Sequence, residues 1–274
     1  MPQKIFSVDN CQVILEVAPE SLYNDIFTKL LKSSFFELSS HHCGNFVVQA
    51  LISHARTKDQ MEMIWEELGF KFADLLGMGR SGIIASLIAA CQRLQTHEYK
   101  CCEALATAVC SKKETSKFIV PRILFVDSYF SHHDKSSWNW PGGAKMHVMG
   151  SLILLLASDI SCNINVYIVM VMQYLSLEIQ DWIQPYILSI TSMETEHVLE
   201  AAKDARGARV IEAFLASDAS TKQKRRLVVK GVHTPPRHPS SRPVSILGDH
   251  TSAFTILTTT PIKSTPMDVV YLVA

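Results

Sequence analysis

The feature that most constrains the fold is a helical segment that recurs after 36 residues. Residues 44–52 read GNFVVQALI, and residues 80–88, which begin 36 positions later, read RSGIIASLI with the apolar positions in register. The apolar residues follow the spacing of an amphipathic helix. A repeat of this length matches one helical supersecondary unit, and such units stack to bury a shared core. The sequence therefore predicts an all-α, superhelical α-solenoid.

Two further copies follow at less regular distances. One, at residues 150–155, begins 70 residues after Arg80, and another, at residues 207–215, begins 57 residues later still. The unit skipped by the first gap should lie near Ser116, where the pattern is kept but Pro121 should break the helix. The second gap exceeds one period, and this predicts an irregular insertion over about residues 156–182.

Composition changes near residue 230. Residues 231–274 contain six prolines with many serines and threonines, and little that could form a core. Such segments do not bury enough apolar surface to offset the entropy of ordering. We therefore predict a repeat region over residues 1–230 and a disordered Pro/Ser/Thr-rich tail over residues 231–274.

Charge and cysteine usage exclude several classes of protein. The 26 basic and 26 acidic residues cancel, so any binding to phosphates must come from a local patch. The run Lys222–Arg226 with Lys230 is such a patch, and a solvated helix face, a phosphate contact and a nuclear targeting signal are all open interpretations. Seven cysteines without a C-x-x-C pair argue against a disulfide framework or a structural zinc site.

Other segments favour structural interpretations. The apolar runs at residues 146–157 and 164–177 are shorter than the roughly 20 residues that a membrane span needs, so packed helices are preferred to a membrane hairpin. The G-x-G-x-x-G at residues 77–82 lacks a βαβ context and predicts a turn. Residues 41–43, His-His-Cys, predict a helix entry rather than a metal site, and residues 131–143 predict a surface loop. Neither catalysis, a cofactor, a metal nor a small-molecule substrate is predicted.

The first copy carries a set of side chains suited to a nucleic-acid base. Asn45, Phe46 and Gln49 share one side of the helix, where two amides can bond a base edge and a ring can stack on it. The alternative places Asn45 near a cap, Phe46 in the core and Gln49 in solvent. An array favours the first interpretation, since it aligns equivalent faces along one concave wall. The equivalent positions are Ser81, Gly82 and Ala85; Ser151, Leu152 and Leu155; and Ala208, Arg209 and Glu212.

Among these equivalents, only the last set is chemically competent. The Arg209 guanidinium can stack on a base and Glu212 can accept hydrogen bonds from a base edge. A surface ion pair between Arg209 and Glu212 explains the same spacing.

Residues 42–49, HCGNFVVQ, resemble the repeat core of the Pumilio (PUF) family. Residues 44–56, 145–154 and 183–226 resemble its nucleolar branch, and residues 203–215 resemble the plant-type nucleolar Pumilio proteins. The resemblance implies a right-handed superhelix of armadillo-like repeats that binds single-stranded or pre-ribosomal RNA. It also implies a role in rRNA processing and small-subunit biogenesis, localisation in the nucleus and nucleolus, and pre-ribosomal proteins as candidate partners.

The resemblance also assigns roles by position. Asn45 and Gln49 would read a uracil edge with Phe46 stacked on the base, and Ala208, Arg209 and Glu212 would act likewise in a later repeat. Ser81 completes the expected RNA-binding set, and an eroded unit is expected at Val8, Asp9 and Gln12. Because the family pattern stops after Lys230, we expect an incomplete member, with mis-splicing as a hypothesis. The competing function is a protein-binding α-solenoid scaffold without RNA specificity.

Overall fold

The repeat spacing produces a stack of short helices. The computed structural model describes residues 8–31, 34–111, 114–163, 183–217 and 219–232, and within these ranges the chain forms α-helices without a β-strand. The predicted tail at residues 231–274 and most of the predicted insertion at residues 156–182 lie outside the described residues. Residues 156–163 belong to the helix that begins at Val148.

Fifteen α-helices occur in the described ranges. A π-helical turn, Ile26–Leu31, extends the second helix, and 3₁₀ turns occur at Ser116–Phe118 and Lys135–Ser137. In chain order the α-helices are α1 (Val8–Val17), α2 (Glu20–Asp25), α3 (Phe35–Ser40), α4 (Gly44–Ser53), α5 (Lys58–Leu68), α6 (Phe72–Gly77), α7 (Ser81–Leu94), α8 (Glu98–Val109), α9 (Ile119–Leu124), α10 (Val126–Ser131), α11 (Val148–Asn163), α12 (Gln184–Ser192), α13 (Thr195–Lys203), α14 (Ala205–Ala216) and α15 (Thr221–Val232).

Five of these helices form one continuous row. Helices α1, α4, α7, α11 and α14 pack in that order, each against the next. We call this set the stacked row. The remaining helices pack behind it, for example α3 on α4 and α5, and α6 on α8. The predicted α-solenoid is thus confirmed, and each copy of the sequence pattern from residue 44 onward corresponds to one helix of the row.

The sequence prediction of a skipped unit near Ser116 is wrong. Helix α7 packs directly on α11, so no unit lies between them. Residues 98–147 instead belong to a single enlarged unit, in which α9 and α10 replace the usual short helix. Pro121 stands in the first turn of α9, where a missing backbone N–H costs little.

Helix α5 shows why the periodic segments were predictable. Thr57 and Gln60 form a capping box in which the Gln60 backbone N–H donates to the Thr57 hydroxyl at 3.2 Å. Met61, Ile64, Trp65 and Leu68 follow at helical spacing and are buried. Local capping and the burial of one face therefore both favour this helix.

Arginines tie successive units together. The Arg56 guanidinium donates to the Ala18 carbonyl at 2.6 Å, beyond the end of α1. Arg93 donates to the Ser53 carbonyl at 3.0 Å, at the end of α4. A cation at a helix C-terminus satisfies a free carbonyl and complements the helix dipole.

An ion pair between the buried Arg122 and the partly exposed Glu114 organises the enlarged unit. The Arg122 side chain is 1% exposed and donates to both Glu114 carboxylate oxygens at 2.8 and 2.9 Å, and to the Val109 carbonyl at 2.7 Å. Its guanidinium also lies over the rings of Phe118 and Tyr129. The bond from Arg122 lowers the pKa of Glu114 to about 2.

The loop predicted as a surface excursion is irregular, but its tryptophans are anchored. Trp138 is 4% exposed and its Nε1 donates to the Ser128 hydroxyl at 3.3 Å. Trp140 stacks on His197 with 4.5 Å between ring centroids, and its Nε1 donates to Glu200 at 2.8 Å. The loop therefore braces the enlarged unit against α13.

Two other sequence predictions concern apolar segments. In the described part of the chain, no helix combines the length and the apolar character needed to cross a membrane. Residues 164–177 lie outside that part. Cys101 and Cys102 on α8 are fully buried, and burial raises the pKa of Cys102 to about 12.

Candidate nucleic-acid interface

The start of α4 is fixed by a cap and a close approach. His41 Nδ1 accepts a hydrogen bond from the Gly44 backbone N–H at 3.1 Å, which confirms the predicted helix entry. A Cβ at Gly44 would lie 2.7 Å from the Leu38 carbonyl oxygen, so only glycine allows α3 and α4 this close.

The same arrangement recurs in the row. His147 Nδ1 accepts from the Gly150 N–H at 3.0 Å, and Asp204 Oδ1 from the Gly207 N–H at 3.4 Å. A Cβ on either glycine would clash with a backbone carbonyl oxygen. Sequence reasoning missed this feature, although a capping side chain three residues before each glycine was visible.

Asn45 is held within its own turn. It is 4% exposed, and its Nδ2 donates to the His42 carbonyl at 2.5 Å and to the His41 carbonyl at 3.3 Å. Its Oδ1 accepts from Gln49 Nε2 at 2.9 Å. The Asn45 amide therefore orients Gln49 and has little surface of its own.

Gln49 lies against the next helix of the row. A Cβ at Gly82 of α7 would lie 2.6–2.9 Å from the three terminal atoms of the Gln49 amide. Gly82 thus provides the space that this side chain occupies. The glycine in the set Ser81, Gly82 and Ala85 is thus explained by packing against Gln49 and not by base recognition. The sequence pattern alone did not suggest this.

Phe46 supplies the aromatic surface of the set. Its side chain is 44% exposed at the start of α4, so the alternative that placed it in the core is wrong. A partly exposed ring beside a fixed amide can stack on a base while the amide bonds its edge.

Helices α7 and α11 of the row offer little to a base. Ser81 and Ala85 on α7 are each 6% exposed. On α11, Ser151 is buried and its hydroxyl donates to the Val148 carbonyl at 2.9 Å. Ser81, predicted as a binding residue, therefore presents almost no surface to a ligand.

The last helix of the row presents two charged groups. Arg209 and Glu212 on α14 are both exposed, and Ala208 beside them is half-buried. The proposed Arg209–Glu212 ion pair is absent from the ion pairs of the described residues. Both groups are thus available to a ligand.

Several cations near the row have structural roles. Arg80 donates to the Ser40 carbonyl at 3.1 Å and Arg206 to the Met146 carbonyl at 2.7 Å. Lys230 donates to the Met193 carbonyl at 2.5 Å. The basic run therefore divides into a structural Lys230 and the exposed cations Lys222, Arg225 and Arg226 before it.

The remaining candidate sites are accounted for structurally. Gly79 has a φ of +70° and lies in the turn between α6 and α7, as predicted for this glycine motif. No group of three potential metal-ligating side chains occurs among the residues that the structure describes. An open groove of about 380 Å³ lies at the start of α11, lined by residues that include Lys145, His147 and Arg206.

Comparison with known proteins identifies the family. Residues 10–234 match the family model described as "NOP9-like PUF repeat domain". The chain belongs to the NOP9-like PUF repeat family. The family resemblance noted in the sequence is thereby confirmed.

Curated relatives in this PUF family match most of the chain. It is 58% identical over 219 residues to Pumilio homolog 23 of Arabidopsis thaliana, which covers 80% of the chain and 27% of the relative. It is 22% identical over 225 residues to Nucleolar protein 9 of Homo sapiens, covering 81% of the chain and 34% of that protein. The chain thus spans about a quarter to a third of the length of these relatives.

Solved PUF structures agree with the observed architecture. A structure described as APUM23-GGAAUUGACGG matches with a TM-score of 0.73 and 57% identity, over 82% of this chain and 39% of that one. A second, described as APUM23-GGAGUUGACGG, matches with a TM-score of 0.72. The row of helices is therefore the family's repeat architecture.

Proposed function

We propose that this chain binds single-stranded RNA through the exposed face of the stacked row, without catalysis. The observation that carries the proposal is the exposed Phe46 ring beside the fixed Asn45–Gln49 amide pair. Family membership supports it, as does the RNA sequence named with the solved relative.

Gln49 is the edge reader in this proposal. With Asn45 Oδ1 already bonded to Gln49 Nε2, Gln49 keeps its Oε1 and one N–H for a ligand. A uracil edge offers one donor flanked by carbonyl acceptors and fits that pair. Asn45 is then a positioning residue, and Phe46 stacks on the base.

Arg209 and Glu212 form a second proposed reader. A carboxylate only accepts hydrogen bonds, so Glu212 selects a base edge with adjacent N–H donors, such as that of guanine. The planar Arg209 side chain stacks on the same base. Ala208 adds no hydrogen-bonding side chain to this reader, and the buried Ser81 has no direct role.

We also propose the cellular setting and the division of the chain. The setting would be rRNA processing in the nucleolus, with pre-ribosomal RNA as the target and pre-ribosomal proteins as further partners. The name of the relative Nucleolar protein 9 supports the nucleolar part of this proposal. Residues 1–230 would form the repeat region and residues 231–274 a tail outside it.

Direct binding tests the proposal against the scaffold alternative. Fluorescence anisotropy of the full chain is measured with GGAAUUGACGG, the RNA named with the relative's structure. We expect saturable binding that weakens steeply with added salt. Absence of binding to this RNA and to a random single-stranded RNA pool would reject RNA binding and favour the scaffold.

A further inference from the structure

The basic run before Lys230 forms one exposed helix face. Lys222, Arg225 and Arg226 are exposed on α15 at positions i, i+3 and i+4, which lie on one side of a helix. We call these three residues the α15 basic face. Within the described residues, no hydrogen bond or ion pair engages any of the three side chains.

The α15 basic face lies on a rigidly docked helix. Leu227 is buried, and Lys230 Nζ donates to the Thr191 and Met193 carbonyls at 2.8 and 2.5 Å, at the end of α12. Ser220 and Gln223 close the helix start, because the Ser220 N–H donates to Gln223 Oε1 at 2.8 Å. The site is therefore the helix face and not its N-terminal amides.

The charge pattern of α15 is unfavourable without an anion. Helix α15 has no acidic residue, whereas a solvated helix such as α5 carries both signs. Like charges at i, i+3 and i+4 destabilise a helix. Burial and then the charge of Arg226 lower the pKa of Lys230, while Glu194 on the neighbouring segment acts against them.

The fold also separates this face from the stacked row. Helix α15 packs against α12 and α13, behind the row. Its cations therefore lie on a different helix from the proposed base-reading residues. A targeting signal read as an extended peptide would require α15 to unfold and release Leu227 and Lys230. A contact made by the folded helix is therefore favoured.

We propose that the α15 basic face is a second, sequence-independent contact for the phosphate backbone of single-stranded RNA. The inference rests on the proposed function and deepens it. Bases bound at α14 would be fixed by the row, while nucleotides beyond them would follow the cations of α15. Ammonium and guanidinium groups bind phosphate by charge and N–H donation, without reading sequence.

The test compares two triple variants of the full chain. K222Q/R225Q/R226Q removes the α15 basic face, and K29Q/K71Q/K117Q removes three cations from other units, two of them in surface ion pairs. Binding is measured against salt with a long single-stranded RNA of about 30 nucleotides and a short one of about 10.

We expect only the α15 variant to weaken binding of the long RNA, to the same extent for every sequence. Because each phosphate contact contributes about 0.7 to the salt slope, loss of three lowers the slope by about 2. The charge-retaining variant K222R/R225K/R226K should restore binding, which a purely structural role would not predict.

Other outcomes separate this inference from the proposed function. If the wild-type chain binds neither RNA, both are rejected. If it binds and the α15 variant keeps the wild-type slope, only the second contact is rejected. Unchanged RNA binding with lost nuclear accumulation of a fluorescent fusion would identify the face as a targeting signal and overturn the proposal.

Discussion

At the scale of residues, the proposed base contact depends on the Gln49 amide, which is held between two helices. Asn45 orients Gln49 from within α4, and Gly82 gives it space on α7. That Asn45, Phe46 and Gln49 lie close together was predictable, since they are neighbours at the start of one helix. The role of Gly82 was not, because it depends on how adjacent row helices cross, which no local pattern encodes.

Gly82→Ala tests this arrangement. The new Cβ would displace the Gln49 amide, so we expect altered recognition at one nucleotide position. Stability should be kept or raised, because alanine favours a helix by about 1 kcal/mol over glycine. Binding to single-base RNA variants and thermal unfolding are the measurements. Gly77→Ala is the control, since its Cβ meets Phe130 only at 3.5 Å, and equal effects would contradict the assignment.

Phe46→Ala tests the stacking surface. We expect RNA binding to weaken by about 1–3 kcal/mol, the range for loss of one base–aromatic stack. Phe70→Ala is the matched control, because Phe70 is 88% exposed in the turn between α5 and α6. Titration of both variants by fluorescence anisotropy decides the outcome, and a similar loss in Phe70→Ala would contradict a specific stack.

The Arg122–Glu114 pair predicts a pH dependence. Its bond to Arg122 lowers the pKa of Glu114 from 4.5 to about 2. A lowered folded-state pKa contributes stability that is present above the unfolded value and lost as pH falls through the folded value. We expect the free energy of unfolding to fall between pH 4.5 and pH 2, and less steeply in Glu114→Gln. Parallel denaturant curves of the two proteins would contradict this.

At the scale of elements, the regular units were predictable and the enlarged one was not. Helices α4, α5 and α14 combine a capping side chain with helical spacing of apolar residues, and α7 has the apolar spacing alone. Their positions therefore follow from sequence. A distance of 70 residues between row helices was interpreted as two units, yet it is one unit with inserted elements. Periodicity counts residues, whereas packing decides which helices are neighbours.

Trp140→Ala tests the brace of the enlarged unit. The variant loses the stack on His197 and the hydrogen bond to Glu200. Since Trp140 is only partly buried, we expect a loss of roughly 2–3 kcal/mol, below that of a fully buried tryptophan. Chemical unfolding measures it, with Tyr99→Ala on an exposed α8 position as control. Equal stability of Trp140→Ala and wild type would show that the Trp140 contacts do not stabilise the enlarged unit.

At the scale of the whole molecule, charge is distributed unevenly although the total is zero. Residues 1–103 contain 12 acidic and 9 basic residues, whereas residues 203–230 contain 3 acidic and 8 basic ones. Such asymmetry steers a polyanion toward one end. The zero net charge gave no sign of nucleic-acid binding, but basic residues are in excess on the last two described helices. RNA should therefore first meet the α14–α15 end.

The capped glycines Gly44, Gly150 and Gly207, at the starts of α4, α11 and α14, fix where these row helices lie. Each glycine lets one row helix begin at a fixed contact with the preceding backbone. The spacing between successive row helices is thereby set by steric contact with the backbone and not by adjustable side chains. A substitution at one of these glycines would displace its row helix and every row helix after it. Its effect on RNA binding would therefore appear at nucleotides far from the changed residue.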